Sequence, residues 1–338
     1  MSTAAAGAGT GSAGPPTLEV VTFGETMLRL STPAGIALEQ AQTLDLSAGG
    51  TESNMAIALA RLGHRVGWVS RLPANPLGRR IARDIVAHGV DTSRIVWAPD
   101  GKAGLAFVES GTAPRGNLVL YDRAHTAIAG LQPGELPLDY LCAARLLYLT
   151  GVTPALSASC RAGWIAAARA AKQAGRLVAV DVNYRSKLWT PDAARETLEQ
   201  VFPFCDLAIS ALGDVQTIFG MPQDAELAAQ SFRAAYRLPL VVLTLGAQGA
   251  LAVGAGFSGA LRHPVFPTEV LDRIGAGDAF AAGFVHGWFE RDVAWGLRCG
   301  CALAALKQTY RGDTTWSGPE ELAQLVAGGD ADPRRVRR

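Results

Sequence analysis

Residues 272–284 read Asp-Arg-Ile-Gly-Ala-Gly-Asp-Ala-Phe-Ala-Ala-Gly-Phe, and this stretch holds the most informative turn of the chain. The Gly-Ala-Gly turn leads into an apolar helix and puts Asp278 in its first turn. Unpaired N–H groups at a helix N-terminus favour negative charge, such as that on phosphoryl oxygens, and two glycines let a ligand come close to these groups. Asp278 could there accept a proton from an attacking hydroxyl. The alternative is a plain helix-stabilising aspartate, and the stretch has neither the GxGxxG spacing of a dinucleotide site nor a Walker A lysine.

Outward from this turn, the chain alternates between apolar strand-like runs and helix-like segments. Strands are predicted at 18–23, 66–70, 90–96, 145–150, 177–182, 207–210, 240–245, 251–253 and 263–266. Helices are predicted at 53–62, 78–88, 157–174, 193–201, 226–236 and from about Asp278 onward. This alternation predicts an α/β fold with a doubly wound, mostly parallel central sheet and helices on both faces.

Two irregular β segments, at about 28–48 and 103–128, do not fit the alternation. In the second, apolar residues alternate with small or polar ones around a Gly- and Pro-containing turn, which predicts an exposed hairpin. We expect the two segments to form a small β lid beside the main sheet. One domain is therefore predicted over 19–325, with a flexible Ala-, Gly- and Ser-rich tail at 1–18 and a flexible basic tail at 326–338.

A second motif, Gly49-Gly-Thr-Glu-Ser-Asn54, precedes the helix-like stretch that ends at Gly63. In order and separation, this motif and the turn before Asp278 resemble the two signatures of the ribokinase-like (PfkB) carbohydrate kinases. The resemblance covers roughly residues 19–325. It implies a ribokinase-like fold and transfer of the γ-phosphate of ATP to a sugar hydroxyl. Asp278 would be the catalytic base, and the N–H groups of Gly275, Ala276 and Gly277 would hold the transferred group.

Within that family the sequence looks most like the 2-keto-3-deoxygluconate kinases, through the stretches at 24–29, 121–123, 181–189 and 305–313. A sugar acid carries a carboxylate, which arginine binds through paired N–H donors. The resemblance implies these substrate contacts: Gly49, Gly50, Thr51, Glu52, Ser53, Asn54, Tyr121, Arg123, Arg185, Asp278 and Asp313. Without it, Tyr121 and Arg123 would suit a lid surface equally well, and Asn54 could be a helix cap.

The resemblance also implies a nucleotide site. Its expected residues are Asn183, Arg185, Thr244, Leu245, Gly246, Ala247, Gln248, Gly249, Gly275, Ala276, Gly277 and Asp278. Alone, the 244–249 turn would suggest only a hairpin. ATP chemistry needs Mg²⁺, held mostly by phosphates and water, and a monovalent cation such as K⁺ is an additional candidate. Ala211 and Asp214 stand where the family commonly has Asn-x-x-Glu, so Asp214 is the candidate that contacts Mg²⁺ through water.

Two departures from the family pattern concern the substrate. Ala106 stands where related kinases tend to have a substrate-facing tyrosine, and Arg273-Ile274 stands where many have small hydroxyl residues. The expected reaction is conversion of 2-keto-3-deoxygluconate to its 6-phosphate. The alternatives are the galactose-derived epimer, fructose, ribose or a nucleoside as acceptor, and a non-catalytic sugar-binding protein of the same fold.

Composition and charge limit the partners and the cellular location that the sequence predicts. A net charge of +1 over 338 residues gives no broad field for nucleic acid or an anionic membrane, and no apolar run predicts a membrane span. The five cysteines are scattered singly, as is typical of a reducing compartment, so a cytoplasmic protein is expected. Because exposed lid strands leave unpaired edges, a homodimer or higher homo-oligomer through the lid is predicted.

Overall fold

The structure is a computed structural model that describes residues 17–111 and 114–328. Strands and helices are numbered in chain order. The strands are β1 (Leu18–Phe23), β2 (Met27–Ser31), β3 (Asp45–Gly49), β4 (Val66–Val69), β5 (Arg71–Pro73), β6 (Val96–Ala98), β7 (Leu105–Glu109), β8 (Leu118–Asp122), β9 (Ala144–Thr150), β10 (Leu177–Asp181), β11 (Leu207–Ala211), β12 (Leu240–Thr244), β13 (Ala250–Gly254) and β14 (Leu261–His263). The helices are α1 (Thr51–Arg61), α2 (Pro76–Val86), α3 (Leu138–Leu141), α4 (Ala158–Gln173), α5 (Pro191–Glu199), α6 (Leu212–Phe219), α7 (Ala225–Tyr236), α8 (Ala276–Glu290), α9 (Val293–Gln308) and α10 (Pro319–Val326).

The central sheet has eight strands in the order β14-β13-β12-β11-β10-β9-β1-β4. The strands from β4 to β12 in that order pair in parallel, and β13 and β14 add an antiparallel edge. The predicted doubly wound α/β fold is therefore confirmed. In such a sheet, ligands bind outside the carboxyl ends of the parallel strands.

Both faces of the central sheet are covered, which explains why its strands read as nearly continuous apolar runs. Val20 and Tyr148 point into one buried layer, which α1, α8 and α9 complete. Val21 and Leu147 point into the other layer, with α4, α5 and α7. None of the described helices is both long enough and apolar enough to cross a membrane.

Helices α8 and α9 pack unusually closely. A Cβ atom on Gly283 or Gly287 of α8 would collide with the backbone of α9, and one on Gly296 or Gly300 of α9 would collide with the backbone of α8. The glycines thus let the two helix backbones touch. This contact fixes the start of α8, which carries Asp278, relative to the end of α9.

A second, four-stranded sheet has the order β3-β2-β7-β8 and consists of strands from the two irregular segments, so it is called the lid below. Strands β7 and β8 are the predicted hairpin, and β2 joins β7 in parallel. The register puts Arg29, Ala106 and Tyr121 in one cross-strand row, and these three residues line the cavity between lid and sheet. The neighbouring row, on the opposite face, consists of Leu46, Leu30, Phe107 and Leu120.

The strand predicted at 90–96 is wrong for most of its length. The N–H of Ser93 donates a hydrogen bond to the side-chain oxygen Oδ1 of Asp91 at 2.8 Å. Such a bond forms a local turn, so the backbone leaves the extended conformation. Only Val96 onward is a strand, and it pairs with β5 in a separate two-stranded sheet.

Other boundaries differ by a few residues. Helix α8 begins at Ala276, ahead of Asp278, and β14 ends at His263 and does not reach Phe266. Helix α10 runs to Val326, so the folded region passes the predicted end at 325. The predicted N-terminal tail lies outside the described residues except for 17 and 18, and the basic tail lies outside them from 329 onward.

Candidate active site

A cavity of about 470 Å³ lies between the lid and the carboxyl ends of the central strands. It brings together residues from distant parts of the chain, among them most of the predicted substrate contacts. The charged residues that line it are Glu25, Arg29, Arg123, Asp181, Arg185, Asp214, Arg273, Asp278 and Asp313. Gly49, Gly50, Thr51, Asn54, Tyr121, Asn183, Gly275 and Gly277 also line it.

Asp278 lies at the base of this cavity, 7% exposed, in the first turn of α8. Its Oδ2 accepts a 2.7 Å hydrogen bond from Asn54 Nδ2. Burial raises the pKa of Asp278 to about 8, against the opposing effects of the Asn54 hydrogen bond and of Arg185. A buried carboxylate with a raised pKa is a stronger base than an exposed one, which suits proton abstraction from a hydroxyl.

The turn before Asp278 has the geometry of an anion site. Gly275 caps α8 with φ 81°, and a Cβ there would collide with the carbonyl oxygen of Asp313. Within the described chain, the N–H groups of Gly275, Gly277 and Asp278 have no backbone partner. The N–H of Ala276 already donates to the carbonyl of Arg273 at 3.2 Å, so its predicted share in the cradle is not supported.

The Gly49–Asn54 motif reaches the cavity with only part of its length. Gly50 adopts the extended conformation before α1, and its N–H donates to Asn54 Oδ1 at 3.4 Å. Asn54 is therefore not a helix cap, because its amide links this turn to Asp278. Glu52 and Ser53 are buried behind the cavity and do not line it.

Glu52 has a structural environment instead. Its Oε1 accepts hydrogen bonds from Thr150 at 2.6 Å and Thr153 at 2.7 Å. Complete burial raises the pKa of Glu52 to about 7, and a Cβ on Gly24 would collide with its carboxyl group. The structure thus gives no support to a direct substrate contact for this residue.

Two arginines at the lid side of the cavity already have acidic partners. Arg123 pairs with Glu25, and its guanidinium carbon lies 5.5 Å from the ring centroid of Tyr121. Arg29 of β2 is 3% exposed and pairs with both Asp313 and Asp272, the latter at 3.0 Å. The sequence predicts no role for Arg29, since its partners lie more than 240 residues away along the chain.

The carboxylates at the ends of the central strands are held individually. Asp181 accepts hydrogen bonds from Tyr148 at 3.1 Å and from Asn183 Nδ2 at 3.2 Å, and burial raises its pKa to about 6. Asn183 has φ 38°, an unusual left-handed conformation for a residue other than glycine. Asp214 accepts from the N–H of Tyr184 at 3.2 Å, and burial raises its pKa.

A second cavity, of about 510 Å³, adjoins the first at Thr244, Arg273 and Gly277. Of the residues predicted to contact the nucleotide, Gly246, Ala247, Gly249 and Ala276 line this cavity, whereas Leu245 and Gln248 do not. Its remaining wall is mostly apolar and was missed by sequence reasoning: Val265, Phe266, Pro267, Val270, Phe280, Cys301, Ala304 and Ala305. Their spacing over 265–305 carries no local motif.

Arg273 is a further residue whose position was not predicted. It lines both cavities where they meet, close to the N–H groups of the turn. In the described part of the chain, neither Arg273 nor Arg185 is in an ion pair, in contrast to Arg29 and Arg123. The arrangement can therefore bind two ligands end to end, with a base, unpaired N–H groups and an uncommitted cation at their junction.

Known proteins match this chain over nearly its full length. Residues 17–320 match the profile described as pfkB family carbohydrate kinase. A 2-dehydro-3-deoxygalactonokinase of Haloferax volcanii is 40% identical over 93% of this chain and 98% of its own length. A 2-dehydro-3-deoxygluconokinase of Bacillus subtilis is 30% identical over 88% of this chain and 91% of its own length.

A solved structure agrees with these sequence relatives. The crystal structure of a 2-dehydro-3-deoxygluconokinase from Thermotoga maritima has a TM-score of 0.85 and 29% identity, covering 92% of this chain and 98% of that one. Fold, site and relatives lead to one conclusion, and the predicted resemblance is confirmed. The chain belongs to the pfkB family of carbohydrate kinases and is a sugar kinase.

Proposed function

We propose that this kinase transfers the γ-phosphoryl group of ATP to the terminal hydroxyl of a 2-keto-3-deoxy sugar acid, with 2-keto-3-deoxygluconate as the expected acceptor and its 6-phosphate as the product. The observation that carries the proposal is the position of Asp278. It lies beside unpaired N–H groups at the junction of a charged cavity and a largely apolar one. The charged cavity suits the sugar acid, and the apolar one suits the adenosine part of ATP.

In the proposed mechanism, Asp278 accepts the proton of the attacking hydroxyl, and Asn54 keeps the carboxylate in place. The N–H groups of Gly275 and Gly277 and the guanidinium of Arg273 stabilise charge on the transferred group. The lid strands close the site on the sugar side and exclude water, which protects ATP from hydrolysis. The established chemistry of phosphoryl transfer requires little more than this positioning.

Arginines on opposite walls support a carboxylate-bearing acceptor. Arg123 lies on the lid, and Arg185 lies in the loop that follows β10. The pair of Arg123 with Glu25 holds the guanidinium at the cavity edge, where a substrate carboxylate can share it. The names of the two relatives differ only in the epimer, gluconate or galactonate, and both are sugar acids.

Mg²⁺, when bound, would neutralise charge on the phosphates of ATP. The residues present fit an ion held mainly by phosphate and water. Asp214 offers one partly buried carboxylate at the cavity wall, and Ala211 near it offers no side-chain ligand. In the described ranges, no group of three or more His, Cys, Asp or Glu residues is arranged to hold a metal.

We also propose that the protein forms a homodimer or higher homo-oligomer through the lid. The outer lid row of Leu46, Leu30, Phe107 and Leu120 is apolar, and Leu120 is 51% exposed. A second copy of the lid covering this row would bury it and protect the strand edges.

A cytoplasmic location is proposed because the five cysteines form no disulfide.

A coupled ADP-release assay tests the function. The acceptors are 2-keto-3-deoxygluconate, 2-keto-3-deoxygalactonate, fructose, ribose and adenosine, each with and without Mg²⁺. We expect the two sugar acids to have the highest kcat/KM. A neutral sugar or the nucleoside as best acceptor would contradict the carboxylate argument, and no ADP release above the acceptor-free rate with any of them would favour a non-catalytic sugar-binding protein.

A further inference from the structure

Lys307, near the end of α9, is a fully buried lysine with no solvent exposure. Its Nζ donates to the carbonyl oxygens of Asp272 at 3.0 Å and Tyr310 at 3.5 Å. In the described chain no carboxylate lies within ion-pair distance of this ammonium. Burying an ammonium group without an ion pair is costly, so its presence at this place indicates a use for the charge.

The two carbonyl groups belong to the segments that shape the phosphoryl site. Asp272 starts the loop that leads through Gly275 to Asp278. Its carboxylate accepts hydrogen bonds from the N–H groups of Ile274 at 3.0 Å and Gly312 at 3.1 Å. Tyr310 starts the turn that leads to Asp313, whose carbonyl packs against Gly275. The ammonium therefore ties together the two loops that set the position of the unpaired N–H groups.

The charges around Lys307 are balanced by groups on several elements. Burial lowers the pKa of Lys307, and Asp272 and Asp313 oppose this effect. Arg29 from the lid adds a second cation and pairs with both carboxylates. Asp278 also acts on Lys307 through space, so the lysine contributes positive charge behind the catalytic base.

We infer that Lys307 is a positioning residue that acts as a tethered monovalent cation, so that this kinase needs no K⁺ to hold its phosphoryl-binding loops. Carbonyl oxygens are the ligands by which proteins bind K⁺, and an ammonium group of similar size can take the same place. The residues present do not fit a separate K⁺ between these loops, because Nζ already occupies the position between the carbonyls. This inference rests on the proposed kinase function only for its kinetic test.

The kinetic test compares Lys307→Met with the wild-type protein in tetramethylammonium, lithium, sodium, potassium and ammonium chloride at constant ionic strength. Methionine keeps the unbranched stem and removes the charge. The matched control is Lys172→Met, since Lys172 lies on the surface of α4 and pairs with Asp206 at 2.5 Å.

We expect the wild-type and control kcat to change less than about twofold between tetramethylammonium and potassium. In Lys307→Met, kcat should fall about tenfold or more in tetramethylammonium, because loosened loops misplace the reacting groups, and should recover with potassium or ammonium but not lithium. A strict K⁺ requirement of the wild type, an unimpaired Lys307→Met, or a folded Lys307→Met that no cation rescues would each overturn the inference.

A melting experiment gives a readout that does not depend on activity. Binding of K⁺ or ammonium to the vacated position should raise the Tm of Lys307→Met relative to lithium and leave the wild type and control unchanged. Lys307→Gln serves as a second variant if methionine prevents folding, and if both fail, the K⁺ response of the wild-type kcat decides. If the wild type phosphorylates no acceptor, the proposed function fails while the melting comparison still tests Lys307.

Discussion

Replacing Asp278 by asparagine separates the catalytic and structural roles of this residue. The asparagine has nearly the same shape, and its Oδ1 can still accept the hydrogen bond that Asn54 Nδ2 donates at 2.7 Å. It cannot take a proton from a hydroxyl. We therefore expect kcat to fall by about 10² or more, the range that general-base removal typically causes, with little change in the affinity for ATP.

The structure also predicts the sign of the stability change. Burial raises the pKa of Asp278 from its ordinary value of 3.8 to about 8. At pH 7, folding must then protonate a group that is ionised in the unfolded chain. At 1.36 kcal/mol for each pH unit above 3.8, this costs on the order of 4 kcal/mol. The cost sets in as the pH rises above the unfolded pKa and becomes constant above about 8.

Asp278→Asn removes this cost, so its free energy of unfolding should equal or exceed that of the wild type, with the larger advantage at pH 8 than at pH 5. The assays are steady-state ADP release, titration with ATP, and urea unfolding at both pH values. Asp139→Asn is the matched control, because the side chain of Asp139 is 75% exposed on α3. A near-wild-type kcat, or a loss of stability at pH 8, would refute the reasoning.

Two further predictions concern the same site, and a third concerns the outer lid row. Arg123→Met should lower kcat/KM for a sugar acid by about tenfold or more and affect a neutral sugar much less, because a charge-assisted bond to the carboxylate is lost; equal losses in a kinetic comparison would count against the carboxylate role. With both substrates below saturation, the rate should fall about tenfold for each pH unit below the pKa of Asp278, about 8, because protonation disables the base. A flat pH–rate profile between pH 6 and 8 would be inconsistent with Asp278 as the base. Leu120→Glu should shift the protein toward the monomer in light scattering, whereas the control Leu227→Glu, equally exposed on α7, should not; an unchanged mass for Leu120→Glu would exclude the outer lid row as the interface.

The fold was predictable because its determinants are local. A strand buried on both faces reads as an apolar run, and each glycine or helix cap marks the next element, so the order of β and α segments could be read along the chain. The segment at 90–96 was wrongly predicted as one strand because of the apolar residues on both sides of Asp91, whose side chain accepts a local hydrogen bond that forms a turn. Strand β6 is short and belongs to a separate sheet, for which the alternation gives no signal.

The site was predictable only where its residues form compact motifs. Asp278 and Asn54 lie in such motifs, and the structure brings them into hydrogen-bond contact from 224 residues apart. Arg29 and Lys307 contact partners that the packing of lid, sheet and α8–α9 brings close, and the same packing puts Arg273 where the two cavities meet. Their roles therefore could not be derived from spacing. Glu52 shows the converse, because a residue inside a motif can be turned away from the ligand by helix periodicity.

The most direct test of the account is the identity of the phosphorylated product. The experiment incubates purified wild-type protein with ATP, Mg²⁺ and either 2-keto-3-deoxygluconate or its galactonate epimer, and monitors the reaction by ³¹P and ¹³C NMR. We predict one phosphate monoester on the terminal carbon of the sugar acid, formed in equal amount to ADP and formed about 10² times more slowly, or slower still, with Asp278→Asn. ADP accompanied only by inorganic phosphate, or an ester formed only on neutral sugars, would contradict it.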